Sequence, residues 1–212
     1  MDNLTDQIKI LEESIIKQLP LETQQAFSTS ILDLKKRMIE HSSIKTGDKI
    51  PDFILKDSNG NEVSSKDILR NSKMLLTFFR GSWCPYCNLE LQYLQKHLQS
   101  LQDKKVTVVA VSPQKAEHSQ SLTSQHNLSF TVLTDVDNKL AEQLGISFSL
   151  QDFVVPHYNE LGIDFHHFNG NDHNTLPIPA VYVVNSDGII SYSFIDADYT
   201  NRFDIQQLLK TL

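Results

Sequence analysis

Apolar positions recur every three or four residues at the start of the chain. Leu4, Ile8, Leu11, Ile15 and Leu19 form one stripe, and Phe27, Ile31, Leu34 and Met38 form a second, with Pro20 between them. That spacing predicts two helices joined at Leu19-Pro20-Leu21. Lys35, Lys36 and Arg37 fall toward the end of the second, where cations suit the helix dipole. From residue 44 the texture changes. Short strand-like runs flank Asn59-Gly60-Asn61, a hairpin signal. Ser64-Ser65-Lys66-Asp67 predicts the cap of a short helix reaching Arg70. Residues 74–79 form an apolar strand. Residues 106–111 form a continuous β-branched run that suits a strand buried on both faces. A helix is expected over 115–126, a strand over 130–133, and a helix over 135–144 that stops at Gly145. Residues 150–177 contain Pro156, Gly162, Gly170 and Pro177 and read as an irregular insertion with one short helix. Strand-like runs 180–184 and 189–194 flank Asn185-Ser186-Asp187-Gly188 as a second hairpin, and a helix over 203–212 closes the chain.

Strands and helices alternate after residue 44. The pattern therefore predicts an α/β domain over residues 44–212 with an at least partly parallel sheet. Residues 1–43 are expected to form a helical extension that packs on this domain or serves as a dimerisation or docking arm.

Chemistry concentrates in MLLTFFRGSWCPYCNLELQYL, residues 74–94, which holds both cysteines of the chain. An apolar strand leads through a tight Arg80-Gly81-Ser82-Trp83 loop into Cys84-Pro85-Tyr86-Cys87 at a helix start. There the free N–H groups and the dipole favour a thiolate, so a lowered Cys84 pKa is expected. Cys87 lies one helical turn on, and a Cα separation of about 5–5.5 Å at that spacing is compatible with a disulfide. Cys84 is expected to be the exposed attacking thiol and Cys87 the buried resolving one. Pro85 fits the first helical turn, Gly81 permits a sharp turn, and Trp83 can shield the site. Two other readings of the pair stay open. It could be an inert core pair, or half of a zinc or iron–sulfur site completed by His157, His166, His167 or His173. No second CxxC exists, so no metal and no other cofactor is assigned. Leu176-Pro177-Ile178-Pro179 stands directly before a strand. A cis bond at Pro179 would be a specific feature, exposing the Ile178 backbone beside Cys84.

Composition narrows the partners. At 212 residues the chain can bury one sizeable core. A net charge of −7, with no basic block beyond residues 35–37, argues against nucleic acid and anionic membrane surfaces. No apolar run approaches the ~20 residues of a membrane span, and the N-terminus lacks the pattern of a signal peptide. A cytoplasmic location is expected, where two lone cysteines point to redox or metal chemistry rather than a structural disulfide. Asp135 and Asp137 are read as caps near a helix start.

The segments GDKIPDFILKDSNGNEV, LLTFFRGSWCPYCNLEL, VVAVSP, FTVLTD, LPIPAVYVVNSDG and FIDADYTNR occur in that order. Over about residues 45–205 the chain resembles the peroxiredoxin-like branch of the alkyl hydroperoxide reductase/thiol-specific antioxidant family. The resemblance implies a thioredoxin-like fold, with a mixed central sheet flanked by helices, and thiol-dependent reduction of hydroperoxides. In that scheme Cys84 is oxidised to a sulfenic acid, Cys87 condenses with it, and a thioredoxin-type reductant restores the dithiol. Pro179 falls where thioredoxin-fold proteins carry a cis-proline. A homodimer is compatible with both the resemblance and the apolar stripes of residues 1–43. The chain also departs from the pattern. Gly81 stands where typical members have Thr or Ser, Thr77 where they have Pro, and the segment 176–184 lacks their Arg. Arg80, Arg202 and Ser82 are the candidate substitutes. The active-site string Trp-Cys-Pro-Tyr-Cys looks more like thioredoxin or glutaredoxin, which keeps a protein disulfide oxidoreductase as the alternative activity. A redox-regulated interaction module, with the helical arm binding a partner, is a third reading.

Overall fold

The computed structural model describes residues 3–212. Two helices open it, α1 (Leu4–Gln18) and α2 (Leu21–Lys36), followed by a 3-10 turn at Ile39–Ser42. Next come β1 (Ile54–Asp57), β2 (Glu62–Ser64), α3 (Ser65–Leu69), β3 (Lys73–Phe78), α4 (Pro85–Lys96) and α5 (Leu98–Asp103). The middle of the chain forms β4 (Val106–Ser112), α6 (Ala116–His126), β5 (Thr131–Thr134), a 3-10 turn at Val136–Asn138 and α7 (Lys139–Gln143). It continues with β6 (Ser147–Ser149), α8 (Val155–Glu160), α9 (Phe165–Asn169), β7 (Thr175–Pro177), β8 (Ala180–Val184), β9 (Ile190–Ile195) and α10 (Ile205–Thr211).

The main sheet runs β2-β1-β5-β4-β3-β8-β9. Strands β3, β4 and β5 are parallel, while β8 pairs antiparallel with β3, and β1 antiparallel with β5. Side-chain alternation sorts the central strands between two cores. Leu75, Val108, Ala110, Val181 and Val183 face the core shared with α1, α4 and α10. Met74, Leu76, Phe78, Val109, Val111 and Tyr182 face the other, with α7 and residues around Ile50 and Phe53. Both faces of β3 and β4 are therefore covered, which is why they read as unbroken apolar runs.

Both hairpins form where Asn-Gly and Asp-Gly stand, joining β1 to β2 and β8 to β9. The 135–144 segment is kinked rather than one helix, because Asp137 and Asn138 adopt positive φ. The Asp135 carboxylate receives the N–H groups of Leu140 and Ala141, so it caps the second part. Gly145 ends α7 at φ +70°, and a Cβ there would meet the Ser42 carbonyl oxygen at 2.2 Å.

The 150–177 insertion differs from expectation. It holds two short helices, and β6 and β7 pair as a separate ribbon. Leu150, Val154, Tyr158, Phe165 and Leu176 form a third apolar cluster that takes in Phe27 and Trp83. The α1–α2 pair lies against this cluster and against α4. Phe27 stacks on Tyr158 with ring centroids 4.8 Å apart, the Ser30 hydroxyl donates to Gln151 at 2.7 Å, and Thr23 hydrogen-bonds His157 at 3.1 Å. On the other side Lys35 reaches Asp196 and Asp198 at 3.5 and 3.6 Å.

Candidate redox site

The site begins where β3 ends. Backbone pairing continues one residue past the strand, from the Phe79 N–H to the Val111 carbonyl, and the chain then turns sharply at Gly81. Gly81 has φ +155°, and a Cβ there would lie 2.3 Å from the Trp83 Nε1. Glycine lets the indole fold back over the loop. Gln114, fully buried after β4, accepts the Ser82 N–H at 2.7 Å, and the Asn88 amide of α4 donates to the Ser82 carbonyl at 2.7 Å. The loop is thus pinned from two elements. Ser82 serves it through its backbone.

Cys84 is the N-cap of α4, with Pro85 in the first turn, and its sulfur receives the Cys87 N–H at 3.4 Å. Both cysteines are free thiols with sulfurs 2.7 Å apart. Both are buried, with Cys84 only 1% exposed, so the expectation of an exposed Cys84 is corrected. Trp83, Tyr158 and the α1–α2 pair cover it.

Two guanidinium groups flank the sulfurs. Arg80 is 3% exposed and its guanidinium carbon lies 4.2, 4.9 and 5.4 Å from the ring centroids of Tyr199, Trp83 and Tyr158. It also donates to the Tyr158 hydroxyl. Desolvated cation–π contacts of this kind contribute up to about 2 kcal/mol each. Arg202, from the loop before α10, donates to Cys87 Sγ at 3.5 Å, to the Tyr199 carbonyl at 2.6 Å and to Glu90 at 2.9 Å. The Arg202 and Glu90 side chains are 2% and 4% exposed, and the other Glu90 oxygen accepts the Thr77 hydroxyl at 2.9 Å. These bonds offset much of the cost of burying the pair, although Arg202 Nε is buried without a partner.

Burial and the neighbouring cations act in opposite directions on this thiol pair. Burial pushes the Cys84 thiol well above its ordinary value, and contact with Cys87 adds to this. Burial also opposes charge on Cys87. There, however, the Cys84 sulfhydryl, the Arg202 charge, the Arg80 peptide N–H and the Arg80 charge outweigh it, holding that thiol down to about 6. The dithiol therefore loses its first proton readily and its second only with difficulty. Arg80 and Arg202 both favour a thiolate on this pair. Burial keeps the neighbouring phenols neutral, with Tyr86 pushed up to about 12 and Tyr158 and Tyr199 also raised.

A cavity of about 370 Å³ opens onto Cys84, with Arg80, Trp83, Tyr86, Tyr158 and Tyr199 among its walls. Arg80 Nε and Trp83 Nε1 are buried there with no hydrogen-bond partner. The structure thus gathers Cys84, Cys87, Trp83, Arg80 and Ser82 in one place. Ile178 and Pro179 are not on the cavity wall. Every peptide bond among the described residues is trans, the bond to Pro179 included. Ile178 is buried in the opposite core, and its N–H donates to the Ile146 carbonyl at 2.7 Å. Pairing of β7 with β6 draws this segment inward, so its backbone is spent within the fold. Among the described residues no three His, Cys, Asp or Glu side chains converge as a metal site.

Glu90, Tyr158 and Gln114 join the site without a role evident in the sequence, whereas Arg202 stands there as one of the candidate substitutes for the missing Arg. Glu90 carried one usable signal: a carboxylate between Leu89 and Leu91 on the face that follows Cys87 by one turn. Tyr158 carried none, since its position depends on long-range packing.

A dithiol at the start of the helix that follows a central strand, on a mixed sheet flanked by helices, defines a protein of the thioredoxin-like class. Residues 46–193 match the AhpC/TSA family, and the chain belongs to it. It is 36% identical over 98 residues to a putative peroxiredoxin bcp of Helicobacter pylori, a match covering 46% of this chain and 64% of that protein, just under two thirds of its length. It is 25% identical over 162 residues to the peroxiredoxin Bcp of Escherichia coli, covering 76% and 92%. Among solved structures, the peroxidoxin BcpB of Mycobacterium tuberculosis superposes with a TM-score of 0.62 at 17% identity, covering 79% of this chain and 96% of that one. A cysteine-to-serine mutant of PrxQ from Xylella fastidiosa gives 0.63 at 14% identity, covering 80% and 96%. These likenesses establish the fold.

Proposed function

We propose that the protein is a thiol-dependent peroxidase in which Cys84 attacks the hydroperoxide and Cys87 resolves the product. The observation that carries this reading is the buried dithiol at the end of a cavity, flanked by two guanidinium groups and already short of one proton near neutral pH. The peroxide enters against Cys84, which lines the cavity. The pair keeps its one remaining proton on Cys87 as the Cys84 sulfur attacks the terminal peroxide oxygen. The O–O bond breaks, Cys84 becomes a sulfenic acid, and the leaving alkoxide or hydroxide takes up a proton from solvent. Cys87, kept acidic by Arg202, then attacks the Cys84 sulfur and expels water. The balance is dithiol plus ROOH giving disulfide, ROH and water. The Arg80 cation, close enough to Cys84 to favour its thiolate, is suited to the oxygen atoms as negative charge develops.

The disulfide must be reduced to complete the cycle, and a thioredoxin-type protein is the reductant assigned. Residues 1–43 are treated as the helical arm of a main domain at 44–212. A cytoplasmic setting fits a dithiol that must be re-reduced, and no helix among the described residues is long and apolar enough to cross a membrane. Exposed Ile10, Leu21 and Leu32 on the arm, each more than 65% exposed, support a homodimer, which sedimentation of the reduced protein tests. The Trp-Cys-Pro-Tyr-Cys string favours a second reading, a protein disulfide oxidoreductase. That reading predicts mixed disulfides trapped by Cys87→Ser in a cell extract. The peroxidase reading predicts instead that peroxide alone oxidises Cys84 stoichiometrically, read by mass spectrometry.

A further inference from the structure

The cavity over Cys84 has a wall that lies outside the family match. Ile15 and Ile16 of α1, Leu19 just after it, and Phe27 and Ile31 of α2 line it together with Cys84, and the match begins only at residue 46. Building on the peroxidase reading, we infer that this arm is the specificity element of the site. It binds the organic group of an uncharged hydroperoxide with a compact, bulky apolar substituent.

Three observations converge on that ligand. The first is size: about 370 Å³ falls within the ~300–1,000 Å³ typical of small-molecule sites and is far more than hydrogen peroxide fills. The second is the distribution of chemistry. Apolar side chains dominate the arm wall, while the Arg80 cation and the Tyr158 hydroxyl it binds belong to the residues around Cys84. That polarity matches a molecule with a peroxide at one end and hydrocarbon at the other. Four polar residues of the arm, Glu12, Gln18, Gln24 and Ser28, also line the cavity. The Gln24 amide is committed to the Ile16 and Leu19 carbonyls, and Glu12 places a carboxylate there that disfavours an anionic tail. The third is that the wall is built into the fold. Thr23 and Ser30 are 2% and 6% exposed and are hydrogen-bonded to the insertion, and Phe27 is stacked on Tyr158.

The test uses cumene hydroperoxide and hydrogen peroxide as probes with full-length protein. Ile31→Trp and Ile16→Trp fill the cavity, and Ile10→Trp, on the 69% exposed outer face of α1, is the control. The wild type should react at least tenfold faster with cumene hydroperoxide than with hydrogen peroxide. Both filling variants should lower that ratio at least tenfold, and Ile10→Trp should keep it. An unchanged ratio in the filling variants overturns the inference. A second measurement needs no redox chemistry: binding of the product alcohol, 2-phenyl-2-propanol, to the Cys84→Ser/Cys87→Ser protein, followed by NMR. Binding that is lost on adding Ile31→Trp supports the arm site, and absent or unaffected binding overturns it. Reaction of both peroxides at the rate of free cysteine overturns the peroxidase reading, and the alcohol measurement then decides the arm site separately.

Discussion

Arg202 is the residue whose removal should change the chemistry most legibly. Its guanidinium lies 3.5 Å from Cys87 Sγ and 2.9 Å from Glu90, inside the protein. Together with the Cys84 sulfhydryl and Arg80 it holds the Cys87 thiol near 6, against an ordinary 9.0. Replacing Arg202 alone would strand the Glu90 carboxylate, at a cost of ~3–5 kcal/mol of stability. The informative variant is therefore Arg202→Met with Glu90→Gln, which removes the pair and leaves an acceptor for Thr77. If Arg202 contributes ~1.4 kcal/mol, a tenfold effect, the thiolate fraction at pH 6 falls from about one half to about one in eleven, and alkylation by iodoacetamide slows about fivefold. The sign is fixed. A depressed thiol pKa gives reactivity that is present above about 6 and lost as pH falls through it. The deficit should therefore shrink as pH rises and vanish near pH 9. Glu90→Gln alone keeps the cation and should leave the midpoint at or below about 6. Ultraviolet thiolate absorbance and alkylation rate, followed across pH, provide the assay. A midpoint in the double variant equal to the wild type would refute Arg202 as the charge that holds the thiolate.

Three other perturbations have defined outcomes. Gly81→Ala places a methyl 2.3 Å from the Trp83 indole nitrogen at φ +155° and should cost ~1–3 kcal/mol in chemical denaturation, with a shifted Trp83 fluorescence spectrum; an unchanged midpoint and spectrum would contradict the packing described. Leu91→Ala, at a fully buried position behind Cys87 on α4, should cost ~2–5 kcal/mol through the cavity it leaves, and a loss below ~1 kcal/mol would show that this face is not packed. Cys87→Ser should stop the cycle at the Cys84 sulfenic acid, which a dimedone-type reagent captures after peroxide. Capture as weak as in wild type would argue against Cys87 as the resolving thiol.

The fold could be read where one local pattern dominates. Strands β3 and β4 announce themselves because both faces are buried, and the hairpins at Asn59-Gly60 and Asp187-Gly188 because a positive-φ residue is needed there, with Gly60 at +86° and Gly188 at +84°. The 150–177 insertion could not be read. Tyr158 and Phe165 gain their meaning from Trp83 and Phe27, more than seventy positions away in the chain, and no periodicity encodes that contact. The cysteines themselves were evident from spacing alone, but the forces on their charge were not. The helix start at Cys84 is a local signal, whereas burial and an Arg that arrives from position 202 come from long-range packing. Pro179 shows the opposite error. A position inferred from resemblance suggested a cis bond and an exposed Ile178 backbone. In the structure the β6–β7 ribbon claims that segment, and the bond is trans.

The single tryptophan, Trp83, lies beside Cys84, so its fluorescence reports oxidation of the dithiol without a label. Mixing reduced protein with a stoichiometric amount of cumene hydroperoxide in a stopped-flow instrument tests the central claim most directly. The account predicts a fluorescence change and a loss of two thiols at a rate far above that of free cysteine, rising with pH through about 6 and abolished in Cys84→Ser. A rate no faster than free cysteine, or one that survives Cys84→Ser, would contradict it.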